Sequence, residues 1–119
     1  MKSNPSDQNL KKIELSISCR KLKNMDFFSK SDPFVILYIK HLHTKQWVNM
    51  GRTETIQDNL NPNFKKTFLV DYIFEVKQEC KIEVLDDDGG NSFDFVGEVF
   101  TTIGAIVGAK NNIFISEIK

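Results

Sequence analysis

Five aspartates form two clusters, Asp26 and Asp32 first, then Asp86, Asp88 and Asp94, with spacings Asp-x5-Asp and Asp-x-Asp-x5-Asp. Carboxylates crowded together repel one another, so gathering them stabilises nothing unless a cation sits among them. Calcium suits this donor set, because it takes about six to eight oxygen ligands at ~2.3–2.6 Å and accepts carboxylates from flexible loops. Five aspartates can hold more than one such ion. An EF-hand does not fit: counting from Asp86, the sixth position is Asn91 and the twelfth is Gly97, where that motif needs a glycine and a glutamate. A single aspartate in a turn is more often a solvated side chain bonded to its own backbone, so the calcium reading rests on the paired spacings together.

Strands must position these loops. Ile13 to Cys19 alternates apolar Ile13, Leu15, Ile17 and Cys19 with polar Glu14, Ser16 and Ser18, the period-two pattern of a half-buried strand. Pro33 opens Phe34 to Ile39, a run of β formers too short for a buried helix, which predicts a central strand. Polar turns at residues 41–45 and 58–63 set off two more strands, Trp47 to Thr55 and Phe64 to Tyr72. Lys81 to Leu85 alternates again, breaks from Asp86 to Ser92 around Gly89-Gly90, and resumes as Phe95 to Phe100. Both acidic clusters therefore read as loops between strands. Ile103 to Ala109 reads as one short helical turn and Asn112 to Ile118 as a last strand. The sum is an all-β fold, an antiparallel Greek-key β-sandwich of seven to eight strands over residues 13–119, preceded by a flexible polar segment, residues 1–12.

Composition narrows the function classes. A chain of 119 residues can bury ~65% of its unfolded surface, enough for a core without metal or disulfide staples. Sixteen Lys plus Arg balance sixteen Asp plus Glu, so no global field draws the protein to nucleic acid or membrane and any steering must come from local clusters. A monomer is expected. Cys19 and Cys80 lie in strand-like runs without catalytic neighbours and read as buried free thiols. Met1 to Lys12 lacks an apolar signal core, and the longest apolar run, Phe34 to Ile39, is too short to span a bilayer. His41 and His43 share one turn with no further ligands for zinc, and no nucleophile–histidine–acid set or phosphate loop is present, so an enzyme is not expected. A metal-dependent hydrolase holding ions over a phosphate ester is the enzymatic alternative.

The run Asp26-x5-Asp32-Pro33-Phe34, the turn Asn61-Pro62-x-Phe64, and Asp86-x-Asp88-x5-Asp94-Phe95-x-Gly97 together resemble a C2 domain, over residues 13 to about 118. Trp47 with Arg52-Thr53-Glu54, and Val70-Asp71-Tyr72-x-Phe74-Glu75, are similar to the first C2 domain of copines, calcium-dependent phospholipid-binding proteins. The resemblance implies an eight-stranded sandwich whose loops gather calcium at one end. Asp26 and Asp32 match the first-loop ligands, and Asp86, Asp88 and Asp94 the third-loop ligands. It further implies ligation by the backbone carbonyls of Met25 and Asp87, and peripheral ligation by the Asn91 side chain. A single strand precedes the first acidic loop, as in the circularly permuted form of the fold, so Asn112 to Ile118 either serves as the final strand or leaves an eighth to be supplied.

Phe27 and Phe28 follow Asp26, and Phe93 precedes Asp94, which places three rings at the tips of ion-binding loops. Inserted into a lipid interface, a fully buried ring contributes on the order of 2 kcal/mol. Lys21, Lys23 and Lys30 flank the first loop and can add about 1 kcal/mol each toward anionic headgroups. The expected partner is an anionic phospholipid membrane, bound peripherally and with calcium, by a cytoplasmic protein recruited to the membrane's cytoplasmic face; protein partners remain open. The alternative is a calcium-independent module that binds protein or lipid through a basic sheet face built from Lys45, Arg52, Lys65 and Lys66.

Overall fold

The computed structural model describes residues 10–25 and 29–119. Among the described residues the chain forms two antiparallel sheets, one of two strands and one of four. Strands β1 (Leu10–Leu15) and β4 (Phe68–Ile73) make the smaller sheet. The larger runs in the order β3 (Trp47–Arg52), β2 (Pro33–Lys40), β5 (Glu79–Asp87) and β6 (Phe93–Thr102). Leu37 of β2, Phe68 and Val70 of β4, and Cys80 of β5 pack into one buried cluster with Ile103, so the two sheets share a core as a sandwich requires. A second cluster joins Val35 and Val84 to Cys19, Leu22 and Phe64 from the connecting segments.

The strand boundaries move for identifiable reasons. β1 begins at Leu10, three residues before the alternating run, because Leu10 pairs with Ile73 and Lys12 with Asp71, the latter also joined by an ion pair of 2.6 Å. It ends at Leu15: the chain beyond still runs beside residues 60–64, through Ser18 opposite Asn63 and the Cys19 N–H on the Pro62 carbonyl, but Pro62 has no N–H to continue a ladder. The strand expected from Phe64 starts only at Phe68, since the N–H groups of Lys65 and Lys66 are taken by the Glu54 carboxylate at 2.6 and 3.2 Å. Those two bonds hold the Glu54 carboxyl below the usual range.

Among the described residues the count is six strands rather than seven or eight, because Asn112 to Ile118 does not form one. Asn112 and Ile113 bond back to the Ala109 and Lys110 carbonyls at 3.1 and 3.3 Å, the reciprocal pair of bonds with Glu98 at 3.0 Å belongs to Lys119 just beyond the segment, and Ile113 and Ile115 stay 63% and 87% exposed. The β-forming residue types are there but a full partner strand is not, and pairing rather than propensity decides a strand. The helical turn appears as α1 (Ile103–Val107), its first turn capped by Thr102 Oγ1, which accepts from the Ala105 N–H at 3.0 Å.

Cys19 and Cys80 are both buried free thiols, and burial pushes each up from 9.0 to about 11. Both therefore stay protonated at neutral pH and should react with a disulfide reagent only as fast as the chain unfolds. Because the folded values are raised, the stability they support is whole below pH 9.0 and is lost as the pH climbs toward about 11, which urea titrations across that window will show.

Candidate metal centre at one end of the sandwich

Asp86 stands on the inward row of β5 with Cys80 and Val84, and like them it is buried, at 0% exposure. A carboxylate at the end of a core row is costly to bury unless charge or donors compensate. One donor comes from the first acidic loop, where the Asp32 N–H reaches Asp86 Oδ1 at 2.8 Å. The Asp87 N–H returns to the Asp32 carbonyl at 2.9 Å, and Pro33 pairs with Asp86 as β2 begins. Segments far apart in sequence thus meet at this carboxylate.

Asp94 joins it through a bulge. Val84 faces Gly97 but Leu85 faces Phe95, so Val96 is the extra residue on β6. Without that extra residue Asp94 would stand opposite Asp87 and point away from the core side. With it, Asp94 is directly opposite Asp86, and directly opposed residues share a face. Asp88 follows the same parity just beyond the end of β5. The five-residue connection closes as the Asp88 N–H donates to the Ser92 carbonyl at 2.9 Å and the Ser92 N–H to the Gly89 carbonyl at 3.0 Å. Gly89 and Gly90 make the reversal at φ 83 and 56, and Asn91 follows at φ 71, a left-handed run that suits glycine and asparagine.

The result is a group of three carboxylates, Asp86, Asp88 and Asp94, whose ligand oxygens all lie within 4.8 Å of one another. Two oxygens on one calcium ion at ~2.4 Å are at most about 5 Å apart, so this donor set fits a single calcium. Both Asp86 and Asp94 sit in paired strand ends rather than in a loop, a difference from the expected break at Asp86. Asp32 enters the site by its backbone, while its carboxylate Oδ1 accepts the Asp58 N–H at 2.7 Å. Asp26, Phe27 and Phe28 lie outside the described residues. Met25 is half-buried, its N–H held by Ser31 Oγ at 2.8 Å. The Asp87 side chain turns the other way, Oδ1 accepting from the Gly89 N–H at 2.8 Å and Oδ2 from the Thr55 hydroxyl at 3.1 Å.

Phe93 is 44% exposed, and its ring sets its edge on Phe34 with centroids 5.1 Å apart. The Arg52 guanidinium lies over the same Phe34 ring at 3.6 Å. Phe34, opposite Leu85 on the outer face of the larger sheet, is thereby buried to 1% exposure by a ring and a cation instead of by the second sheet. Lys21, Lys23 and Lys30 are exposed beside the first loop. Of the alternative basic patch, Arg52 is committed to Phe34, and Lys65 and Lys66 anchor Glu54 by their backbone. The His41 ring is a turn acceptor, Nδ1 receiving the N–H groups of His43 and Thr44 at 3.1 Å.

Residue types alone did not mark Ser31, Thr55 or Asp58. Ser31 is fully buried and ties the first loop together, Oγ accepting from Met25 and donating to the Lys23 carbonyl at 3.4 Å. Asp58 lay in a cluster legible only as a turn. The Arg52-Thr53-Glu54 run proves to be a staple: Thr53, 2% exposed, accepts the Val35 N–H at 2.9 Å, and Glu54 holds Lys65 and Lys66.

The comparisons with known proteins agree with this architecture. Copine-E of Dictyostelium discoideum is 44% identical over 113 residues, covering 91% of this chain and 20% of its own length, so the chain spans about one fifth of that relative. Among solved structures, human GIVD cytosolic phospholipase A2 matches with a TM-score of 0.67 at 22% identity, over 85% of this chain and 14% of that one. The calcium-bound tandem C2 domains of Extended-Synaptotagmin 2 match with a TM-score of 0.61 at 21% identity, over 82% of this chain and 35% of that one. These likenesses establish a shared fold. The family model for the C2 domain matches residues 13–115, and the chain belongs to the C2-domain family.

Proposed function

We propose that this domain is a calcium-dependent phospholipid-binding module with no catalytic role of its own, working in the cytoplasm at the cytoplasmic face of membranes. The observation that carries the reading is the trio Asp86, Asp88 and Asp94 within 4.8 Å, with the first of them wholly buried. Asp26 and Asp32 from the first loop, the carbonyls of Met25 and Asp87, and the Asn91 side chain are the further oxygens proposed to complete the coordination. Similarity to Copine-E, and to a fold solved with calcium bound, supports the same reading.

The chain's own groups account for the dependence. With the carboxylates bare, this end of the sandwich is negative and repels anionic headgroups; bound calcium supplies positive charge and coordination positions that phosphate oxygens can fill. Ion and lipid share one site, so each tightens the other's binding by the same factor. Phe27, Phe28 and the exposed part of Phe93 are proposed to enter the interface, and Lys21, Lys23 and Lys30 to lie against headgroups. Phe93 has a second attachment, its edge contact with Phe34, which limits how far it can leave the protein.

Co-sedimentation with vesicles of phosphatidylserine and phosphatidylcholine tests the reading. The protein should pellet with vesicles in calcium and stay in solution with a chelator. Equal pelleting under both conditions would reject it in favour of the calcium-independent module.

A further inference from the structure

The loop between β3 and β4 is bonded to residues 30–33, the stretch of the first acidic loop that leads into β2. Lys30 donates its N–H to Asp58 Oδ1 at 2.7 Å, and Asp58 donates its own N–H to Asp32 Oδ1 at 2.7 Å. The Asn59 N–H reaches the Ser31 carbonyl and the Ile56 N–H the Pro33 carbonyl, each at 3.0 Å. Asp58 therefore grips the other loop on both sides of Ser31, once with its side chain and once with its backbone. It does so at φ 54, a left-handed conformation that an L-residue keeps only where surrounding bonds hold it and that Asp and Asn tolerate better than most.

We propose that Asp58 is a positioning residue for the metal centre: it clamps the first loop to the second and fixes the direction of the Asp32 carboxylate. The proposal rests on the calcium reading above. The line of force is short. Asp58 holds Asp32, and Asp32 gives its N–H to Asp86 Oδ1 at 2.8 Å, the buried member of the carboxylate trio. A loop ordered beforehand loses less freedom when a ligand arrives, so the clamp strengthens binding without itself touching the ion. Ser31 Oγ ties residues 23 and 25, upstream of the gripped stretch, so the side-chain bond from Asp58 adds a hold on Lys30 that the Ser31 hydroxyl does not supply.

Three variants separate the possibilities. Asp58→Asn keeps the Oδ1 acceptor and the tolerance for positive φ. Asp58→Ala removes the acceptor, and Asp58→Gly removes it while adopting φ 54 without strain, so a folding defect in the alanine variant leaves the test intact. Amide hydrogen exchange at Lys30 and calorimetric calcium titration are measured on each. In Asp58→Ala and Asp58→Gly, exchange at Lys30 should quicken and calcium affinity fall by about tenfold, the factor that one lost hydrogen bond to a charged group carries. Asp58→Asn should stay within about threefold of the parent in both. Unchanged Lys30 exchange in the alanine and glycine variants overturns the clamp. So does an asparagine variant that loses as much calcium affinity as the other two, because that outcome assigns the carboxylate charge to the ion directly. Absence of calcium heat in the unaltered protein would sink the metal reading instead, and the exchange comparison would still decide whether Asp58 holds the loop.

Discussion

Replacing Asp86 and Asp88 together with asparagine should abolish calcium-dependent vesicle binding while leaving the fold standing. The amide side chain at position 86 would still offer an oxygen to the Asp32 N–H, which donates to Asp86 Oδ1 at 2.8 Å, so the loop contact survives. What disappears is two negative charges from the three carboxylates that share a 4.8 Å neighbourhood. Calcium affinity in oxygen-ligand sites is set by how many charged ligands a site offers and how rigidly it holds them, so losing two should weaken binding by about 100-fold or more. Thermal unfolding gives a second readout: at about 100 times Kd, calcium should stabilise the unaltered protein by about 2.7 kcal/mol and the double variant by almost nothing. In a chelator the order reverses, because the variant carries less charge repulsion at the site.

Phe34→Ala should be the most damaging single substitution near the site, costing about 4 kcal/mol in urea unfolding. Phe34 is 1% exposed, yet it belongs to neither core cluster, since it faces outward from the larger sheet. Its burial depends on the Arg52 guanidinium at 3.6 Å and the Phe93 ring edge at 5.1 Å. Truncation would remove the ring that both pack on and free Phe93, the residue that leads into Asp94. Arg52→Ala tests the lid separately. It deletes the cation and also the bond to the Thr55 hydroxyl at 2.8 Å, and should cost about 1–2 kcal/mol, well below the loss of the ring itself.

The parts of this molecule legible from residue types are those governed by local periodicity. The run Phe34 to Ile39 and the alternation Lys81 to Leu85 fall inside β2 and β5, and the Gly89-Gly90 reversal lies between β5 and β6. The grouping of Asp86, Asp88 and Asp94 was likewise visible in their spacing. What spacing could not carry is long-range pairing. The bulge at Val96 that sets Asp94 opposite Asp86 depends on a register between two strands, and no local pattern encodes it. The bond from the Asp58 N–H to the Asp32 carboxylate is likewise a contact between loops on either side of two strands. The Asn112 to Ile118 segment has strand composition without a strand's partner, so propensity misled there.

The most direct test of the account is the structure of this domain crystallised in calcium. The account predicts an ion bound by carboxylate oxygens of Asp86, Asp88 and Asp94 at ~2.3–2.6 Å, with oxygens of the first loop completing its shell. A crystal saturated with calcium that shows no ion among these three side chains, or shows them turned away from one another, would contradict it.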